Sequence, residues 1–62
     1  MDIKIHLKAP EGKYFELLNI TQVEHQSILD NLGNPTGALT VGKDKRLAIA
    51  WSNIAYVEIT KQ

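Results

Sequence analysis

The sequence predicts an α+β fold in the order ββαβββ, with one helix packed on a small, mainly antiparallel sheet that is open or barrel-like. Two observations predict this class. Apolar residues alternate with polar ones at the start of the chain, and a helix-capping signal precedes a stretch with helical apolar spacing. The chain has 62 residues and no cysteine. We therefore expect one domain, residues 1–62, near the lower size limit for folding without disulfides.

The first two strands are predicted to form a hairpin. Ile3, Ile5 and Leu7 alternate with polar residues, which is the pattern of a strand with one buried face. Residues 9–12, Ala-Pro-Glu-Gly, have the composition of a turn. A second strand over 13–18 follows this turn, so the two strands are expected to pair.

One helix is predicted over 22–32. Thr21 is placed to cap its first turn, and Glu24, three residues later, completes a capping box. Gly33 suits the position after the helix, and Pro35 prevents any continuation. The apolar stripe that should dock on the sheet consists of Ile28, Leu29 and Leu32, with His25 among them.

Three further strands are predicted over 38–41, 46–51 and 54–60. Ser52-Asn53 has the length and composition of a two-residue hairpin loop between the last two strands. Opposed residues of a hairpin share a face. The large face predicted for this hairpin carries Leu47, Ile49, Trp51, Ile54 and Tyr56, and the small face carries Ala48, Ala50, Ala55, Val57 and Ile59.

Both faces of the predicted hairpin are apolar, whereas a sheet with one solvated face alternates apolar with polar residues. A single helix can cover only one of them. The alternatives are a closed monomeric core, with the first hairpin curled over the other face, and a second subunit. We predict a homo-oligomer whose interface consists of Leu47, Ile49, Trp51, Ile54 and Tyr56.

A second surface is predicted from the basic residues. The net charge is zero, and residues 14–42 contain three acidic side chains and no lysine or arginine, so the lysines and the arginine lie towards the two ends. Tyr14 or Phe15 could stack on bases beside them. The alternative is the ordinary solvated face of an edge strand. The possible nucleic-acid patch consists of Lys4, His6, Lys8, Lys43, Lys45 and Arg46.

Residues 37–44 contain the glycines and the lysine of a phosphate-binding P-loop. Asp44 stands where the motif needs a hydroxyl for magnesium, and its carboxylate would repel phosphate. The residues between Gly37 and Gly42 are predicted to form a strand, and no helix follows to bind the phosphate at its N-terminus. We therefore predict no phosphate site in this segment.

No other motif supports catalysis. His6 and His25 are not at metal-ligand spacing from another histidine, and no cysteine is present to complete a site. Ser27 is predicted on the polar side of the helix, and Ser52 is explained by its turn. We predict that the protein is not an enzyme and has no catalytic residue, no cofactor and no metal site.

The expected location is the cytoplasm. The first residues lack the apolar core of a signal peptide, and the uncharged stretch 47–57 is shorter than the roughly 20 residues that span a bilayer. We predict no membrane partner. The pattern of residues 47–59 is similar to strand pairs in several small bacterial and phage β-domains. The length and the lack of cofactor motifs suit a bacterial or phage accessory or regulatory protein.

The predicted function is a non-catalytic interaction or regulatory module that self-associates and binds another macromolecule, most simply a protein, through a preformed surface. Glu24 and Asp30, on the helix, would face a basic partner. The alternative function is nucleic-acid binding by the basic strand and turn residues.

Overall fold

The computed structural model, which describes residues 1–42, 44 and 47–62, confirms the α+β class and the order ββαβββ. The strands form two antiparallel sheets, and the first strand pairs with the second as predicted. The elements are strands β1 Asp2–Leu7, β2 Tyr14–Leu17, β3 Ala38–Val41, β4 Leu47–Ala50 and β5 Ile54–Lys61, helix α1 Gln22–Asn31 and the 3₁₀ turn Trp51–Asn53.

The larger sheet has three strands in the order β2-β1-β5, so β1 is its central strand. The smaller sheet consists of β3 and β4 alone. Within the described residues, no strand pairing joins the two sheets into a closed barrel. β1 therefore pairs with β2, which follows it in the sequence, on one side and with β5, the last strand, on the other.

The predicted hairpin between residues 47 and 59 is wrong. β4 pairs with β3, and β5 crosses to pair with β1. The two-residue hairpin turns require positive φ, but the only non-glycine residue with positive φ among those described is Asn19. Residues 51–53 instead form one 3₁₀ turn, which carries the chain from one sheet to the other.

Helix α1 begins as predicted. The Thr21 hydroxyl accepts a hydrogen bond from Glu24 N at 3.1 Å, and the Glu24 carboxylate accepts one from Thr21 N at 3.0 Å. The helix ends at Asn31, one residue early, because Leu32 takes an extended conformation with ψ of 134°. Of the predicted apolar stripe, Ile28 is buried, Leu32 and His25 are half-buried, and Leu29 is exposed.

The core lies between the inner face of the three-stranded sheet, α1 and the β3–β4 sheet. Ile3 and Ile5, on the central strand, are the two described residues with no exposed surface. Their neighbours along the strand point to the opposite face, which leaves Lys4 and His6 on the outside. The other buried core residues are Ile28, Val41, Ile49, Trp51 and Ile54.

Trp51 packs at the corner where the chain leaves the small sheet. The main-chain N–H of Trp51 donates a hydrogen bond to the carbonyl of Gly37 at 3.3 Å. Gly37 has φ of +82°, and a Cβ atom added to it would lie 3.4 Å from Trp51 Cδ1. A glycine is therefore favoured here by the backbone conformation, and an added Cβ would be in van der Waals contact with the indole.

Asn53 ties the 3₁₀ turn to the end of β1. Its amide nitrogen donates to Ala9 O at 2.8 Å, and its amide oxygen accepts from Ala9 N at 3.0 Å. The main-chain carbonyl of Asn53 accepts from Lys8 N at 2.8 Å. These bonds hold the point at which β5 begins against the point at which β1 ends.

Candidate functional site

The predicted interface residues do not form one surface. Ile49, Trp51 and Ile54 are buried in the core, and only Leu47 and Tyr56 are exposed. Leu47 lies on the β3–β4 sheet and Tyr56 on the three-stranded sheet. The large apolar face on which the predicted homo-oligomer depended is therefore part of the interior, and self-association stays a prediction without that argument.

The predicted nucleic-acid patch is only partly described. Lys4 and His6 share the outward side of β1, as expected. Lys8 is exposed beyond the end of that strand. The remaining members lie outside the described residues: Lys43, Lys45 and Arg46.

The acidic residues of α1 make hydrogen bonds within their own helix. The Glu24 carboxylate accepts from Thr21 N in the capping box. The Asp30 carboxylate accepts from Gln26 Nε2 at 2.8 Å. Both side chains are exposed, so they can face a partner as predicted, but part of their hydrogen-bonding capacity is already used.

The most distinctive surface is the outer face of the three-stranded sheet, where three rings lie side by side. His6 on β1 is in register with Tyr14 on β2 and with Tyr56 on β5, and opposed residues share a face. The His6 and Tyr56 rings stack with centroids 4.2 Å apart and planes 14° apart. The His6 and Tyr14 centroids are 5.7 Å apart. Tyr14, His6 and Tyr56 are called the aromatic row below.

A second row crosses the same face two residues away from the aromatic row on each of the three strands. Lys4 on β1 lies in register with Glu16 on β2 and with Glu58 on β5. These three residues are called the charged row. A single ammonium group between two carboxylates gives this row a net negative charge, so the row next to the rings is acidic.

The two rows are linked by specific contacts. Lys4 Nζ lies 4.6 Å from the centroid of the Tyr14 ring, a cation–π distance. His6 Nε2 lies 3.0 Å from Glu58 Oε1. The side chains of Tyr14 and Tyr56 nevertheless remain 48% and 55% exposed. The face therefore offers large rings whose positions are supported by their neighbours but which still contact solvent.

An apolar groove lies on the other side of the molecule, between α1 and β3. Its volume is about 470 Å³, and its walls include Leu17, Ile20, Val23, Ile28, Leu39 and Trp51. Val23, on the helix, is 80% exposed at its rim. Three polar residues also contribute atoms to its lining: Glu24, Ser27 and Thr40. Nothing in the structure indicates what would cover this groove.

Sequence reasoning found part of the outer face. The sequence predicts the first hairpin and offers Tyr14 or Phe15 beside the basic residues, and the structure pairs Tyr14 with His6. Glu16 and Glu58 were missed as members of the site, and Tyr56 was assigned to an apolar hairpin face. Counting outward from a four-residue turn at 9–12 pairs Glu16 with Ile5, one residue away from the observed pairing of Glu16 with Lys4. No local signal indicates that Tyr56 pairs with His6, 50 positions earlier.

Neither a metal cluster nor a membrane helix is found in the described part of the chain. Within residues 1–42, 44 and 47–62, no three His, Asp or Glu side chains come close enough to hold a metal ion. No helix among these residues is long and apolar enough to cross a bilayer. No protein-family model, curated protein or solved structure matches the chain.

Proposed function

We propose that this chain is a non-catalytic interaction module that binds a basic segment of another protein through the outer face of its three-stranded sheet. The observation that supports this most directly is the aromatic row, in which two half-exposed tyrosines flank a stacked histidine. Tyrosine is enriched at protein interfaces because its ring buries a large area at a small cost in side-chain entropy.

The aromatic row favours binding because its side chains are ordered before a partner arrives. The ring of Tyr56 stacks on His6, and His6 in turn contacts the carboxylate of Glu58. Ordering a flexible side chain at an interface costs about 0.5–1.5 kcal/mol, and an ordered one avoids most of this cost. The buried Ile3 and Ile5 hold the central strand from the other side.

The charged row favours a basic protein segment over a nucleic acid. Glu16 and Glu58 lie on either side of Lys4, so a phosphate approaching the aromatic row would meet two carboxylates for one ammonium. Binding of nucleic acid depends mainly on neutralising phosphates, and the net charge of the whole chain is zero. A basic segment instead meets complementary charge in the row next to the rings.

The test is a selection of binding peptides from a random phage-displayed library on the intact chain. We expect enriched peptides that lose about tenfold or more in affinity for Tyr14→Ala and Tyr56→Ala, as for residues at the centre of an interface. Thr40→Ala is the matched control, because Thr40 is exposed on the outer side of the small sheet. Peptides that bind both tyrosine variants as tightly as the parent chain would refute the proposal.

Two other partners are distinguished by separate measurements. Single-stranded oligonucleotides at low salt would bind in a Tyr56-dependent way if the aromatic row stacks on bases, and that result would replace the proposed partner. Light-scattering mass over a dilution series tests the predicted homo-oligomer. A dimer that is lost in Tyr56→Ala would identify the partner as a second copy of the chain.

A further inference from the structure

The outer face contains two similar halves, one on each side of β1. Tyr14 and Glu16 are two residues apart on β2, and Tyr56 and Glu58 are two residues apart on β5. Both tyrosines are in register with His6, and both glutamates are in register with Lys4. Each half therefore presents an aromatic ring next to a carboxylate on the same side of the sheet.

Among the described residues, an ammonium group lies over the tyrosine ring of only one half. Lys4 Nζ lies 4.6 Å from the Tyr14 ring centroid. Among the residues that the structure describes, no ammonium or guanidinium group lies over the Tyr56 ring. One face of that ring is stacked on His6, yet the side chain is 55% exposed, so the rest of the ring contacts solvent.

We propose that Tyr56 and Glu58 bind the guanidinium group of an arginine carried by the partner segment, an inference that rests on the proposed function. A guanidinium can stack on the solvent-exposed side of the Tyr56 ring and make a cation–π contact there. The Lys4 ammonium makes a contact of this kind with Tyr14. Glu58 is 53% exposed and uses Oε1 for His6. Its other oxygen accepts no hydrogen bond from the described residues, so it can accept one from the guanidinium.

The geometry favours arginine over lysine. The guanidinium is planar, stacks on aromatic rings and presents several N–H donors to a nearby carboxylate, whereas the ammonium of lysine is a compact and strongly hydrated charge. The position of β5 also favours access. It is an edge strand in the order β2-β1-β5, so a side chain can reach the Tyr56 ring from beyond the sheet.

The experiment uses a capped peptide, acetyl-Gly-Gly-Arg-Gly-Gly-amide, titrated into the isotope-labelled full chain and followed by NMR. Matched peptides carry lysine or citrulline, which is planar but uncharged, in place of arginine. We expect the arginine peptide to shift the signals of Tyr56 and Glu58 more than those of Tyr14 and Glu16. Affinity should fall about fivefold or more with citrulline and less with lysine.

Variants in the two halves supply the control. Glu58→Gln should weaken binding of the arginine peptide about fivefold, and Glu16→Gln should change it less than twofold. Because Glu58→Gln also removes the contact with His6, the affinity ratio of arginine to citrulline is measured in both chains. A direct contact requires this ratio to fall in Glu58→Gln. An unchanged ratio would mean that Glu58 only positions His6.

The inference and the proposed function fail in different ways. If selected peptides depend on Tyr56 but bind equally well after their arginines are changed to citrulline, the arginine site is wrong and the binding face stands. If no selected peptide depends on Tyr14 or Tyr56, the binding face itself is wrong. Equal affinity of the parent chain for the citrulline and arginine peptides would also overturn the arginine site.

Discussion

The outer faces of the two sheets differ in what they can recognise. The three-stranded sheet presents the aromatic row and the charged row, whose members touch one another across strands. The small sheet presents short side chains, in the register Ala38 to Ala50 and Thr40 to Ala48. Both faces are exposed β-structure, so exposure alone does not mark a site. The proposed binding face differs in having large side chains held by cross-strand contacts.

The comparison also separates stability from recognition along one strand. On β1, the inward residues Ile3 and Ile5 are fully buried, and the outward residues Lys4 and His6 belong to the two rows. Because side chains alternate between faces, substitution of an inward residue should mainly reduce stability, and substitution of an outward residue should mainly reduce partner binding. Three predictions rank the expected losses of unfolding free energy, and the largest loss is expected for the core residues beneath the two rows.

The largest loss of stability is expected for Ile5→Ala. Removing a fully buried isoleucine side chain costs about 2–5 kcal/mol of unfolding free energy, a large part of the total for a small domain. Urea denaturation followed by circular dichroism measures this loss. Leu47→Ala, at a position 41% exposed on the other sheet, is the control and should cost about 1 kcal/mol or less. Equal losses would contradict the central role of β1.

An intermediate effect is expected for Asn53→Ala. This substitution removes the two side-chain hydrogen bonds to Ala9 that hold the start of β5 against the end of β1. The expected loss is about 1–2 kcal/mol of unfolding free energy, measured in the same way. Ser52→Ala is the control within the same turn, because its exposed side chain makes no hydrogen bond among the described residues. A loss of the same size for Ser52→Ala would show that the turn, not the Asn53 amide, matters.

The smallest effect on stability is expected for Tyr56→Ala. The ring is half-exposed, and a cross-strand pair of this kind contributes about 0.2–1 kcal/mol. Thr40→Ala, on the outer side of the small sheet, should change stability by less than about 0.5 kcal/mol. Thermal unfolding of the two variants tests this ranking. A loss above about 2 kcal/mol for Tyr56→Ala would mean that the aromatic row is part of the core.

The fold was predicted well where the signals are local. The capping box of Thr21 and Glu24 identified the start of the helix, and the alternation at Ile3 and Ile5 identified the central strand. The partner of β5 was predicted wrongly because Ser52-Asn53 has the length and composition of a hairpin loop. The pairing of strands that are distant in sequence depends on which of their faces become buried. The local pattern around Trp51 does not specify which face of β5 is buried.

The candidate site was predicted less well for the same reason. Tyr14 reaches His6 through a local hairpin, so the predicted 9–12 turn brought the two strands together, although the observed register differs by one residue. Tyr56 and Glu58 reach the site only because β5 crosses to the other sheet. The basic residues drew attention to Lys4, but its two flanking carboxylates became visible only once the register of all three strands was known.

The pairing of β5 with β1 also has a consequence for kinetics. The contact between His6 and Glu58 joins residues 52 positions apart, whereas Tyr14 is brought to His6 by a short turn. Closing a long loop is slower than closing a hairpin, so half of the outer face can form early and the other half only when β5 docks. Local opening of β5 would remove Tyr56 from the surface while leaving the first hairpin intact. A bound partner should therefore slow hydrogen exchange in β5 far more than in β2.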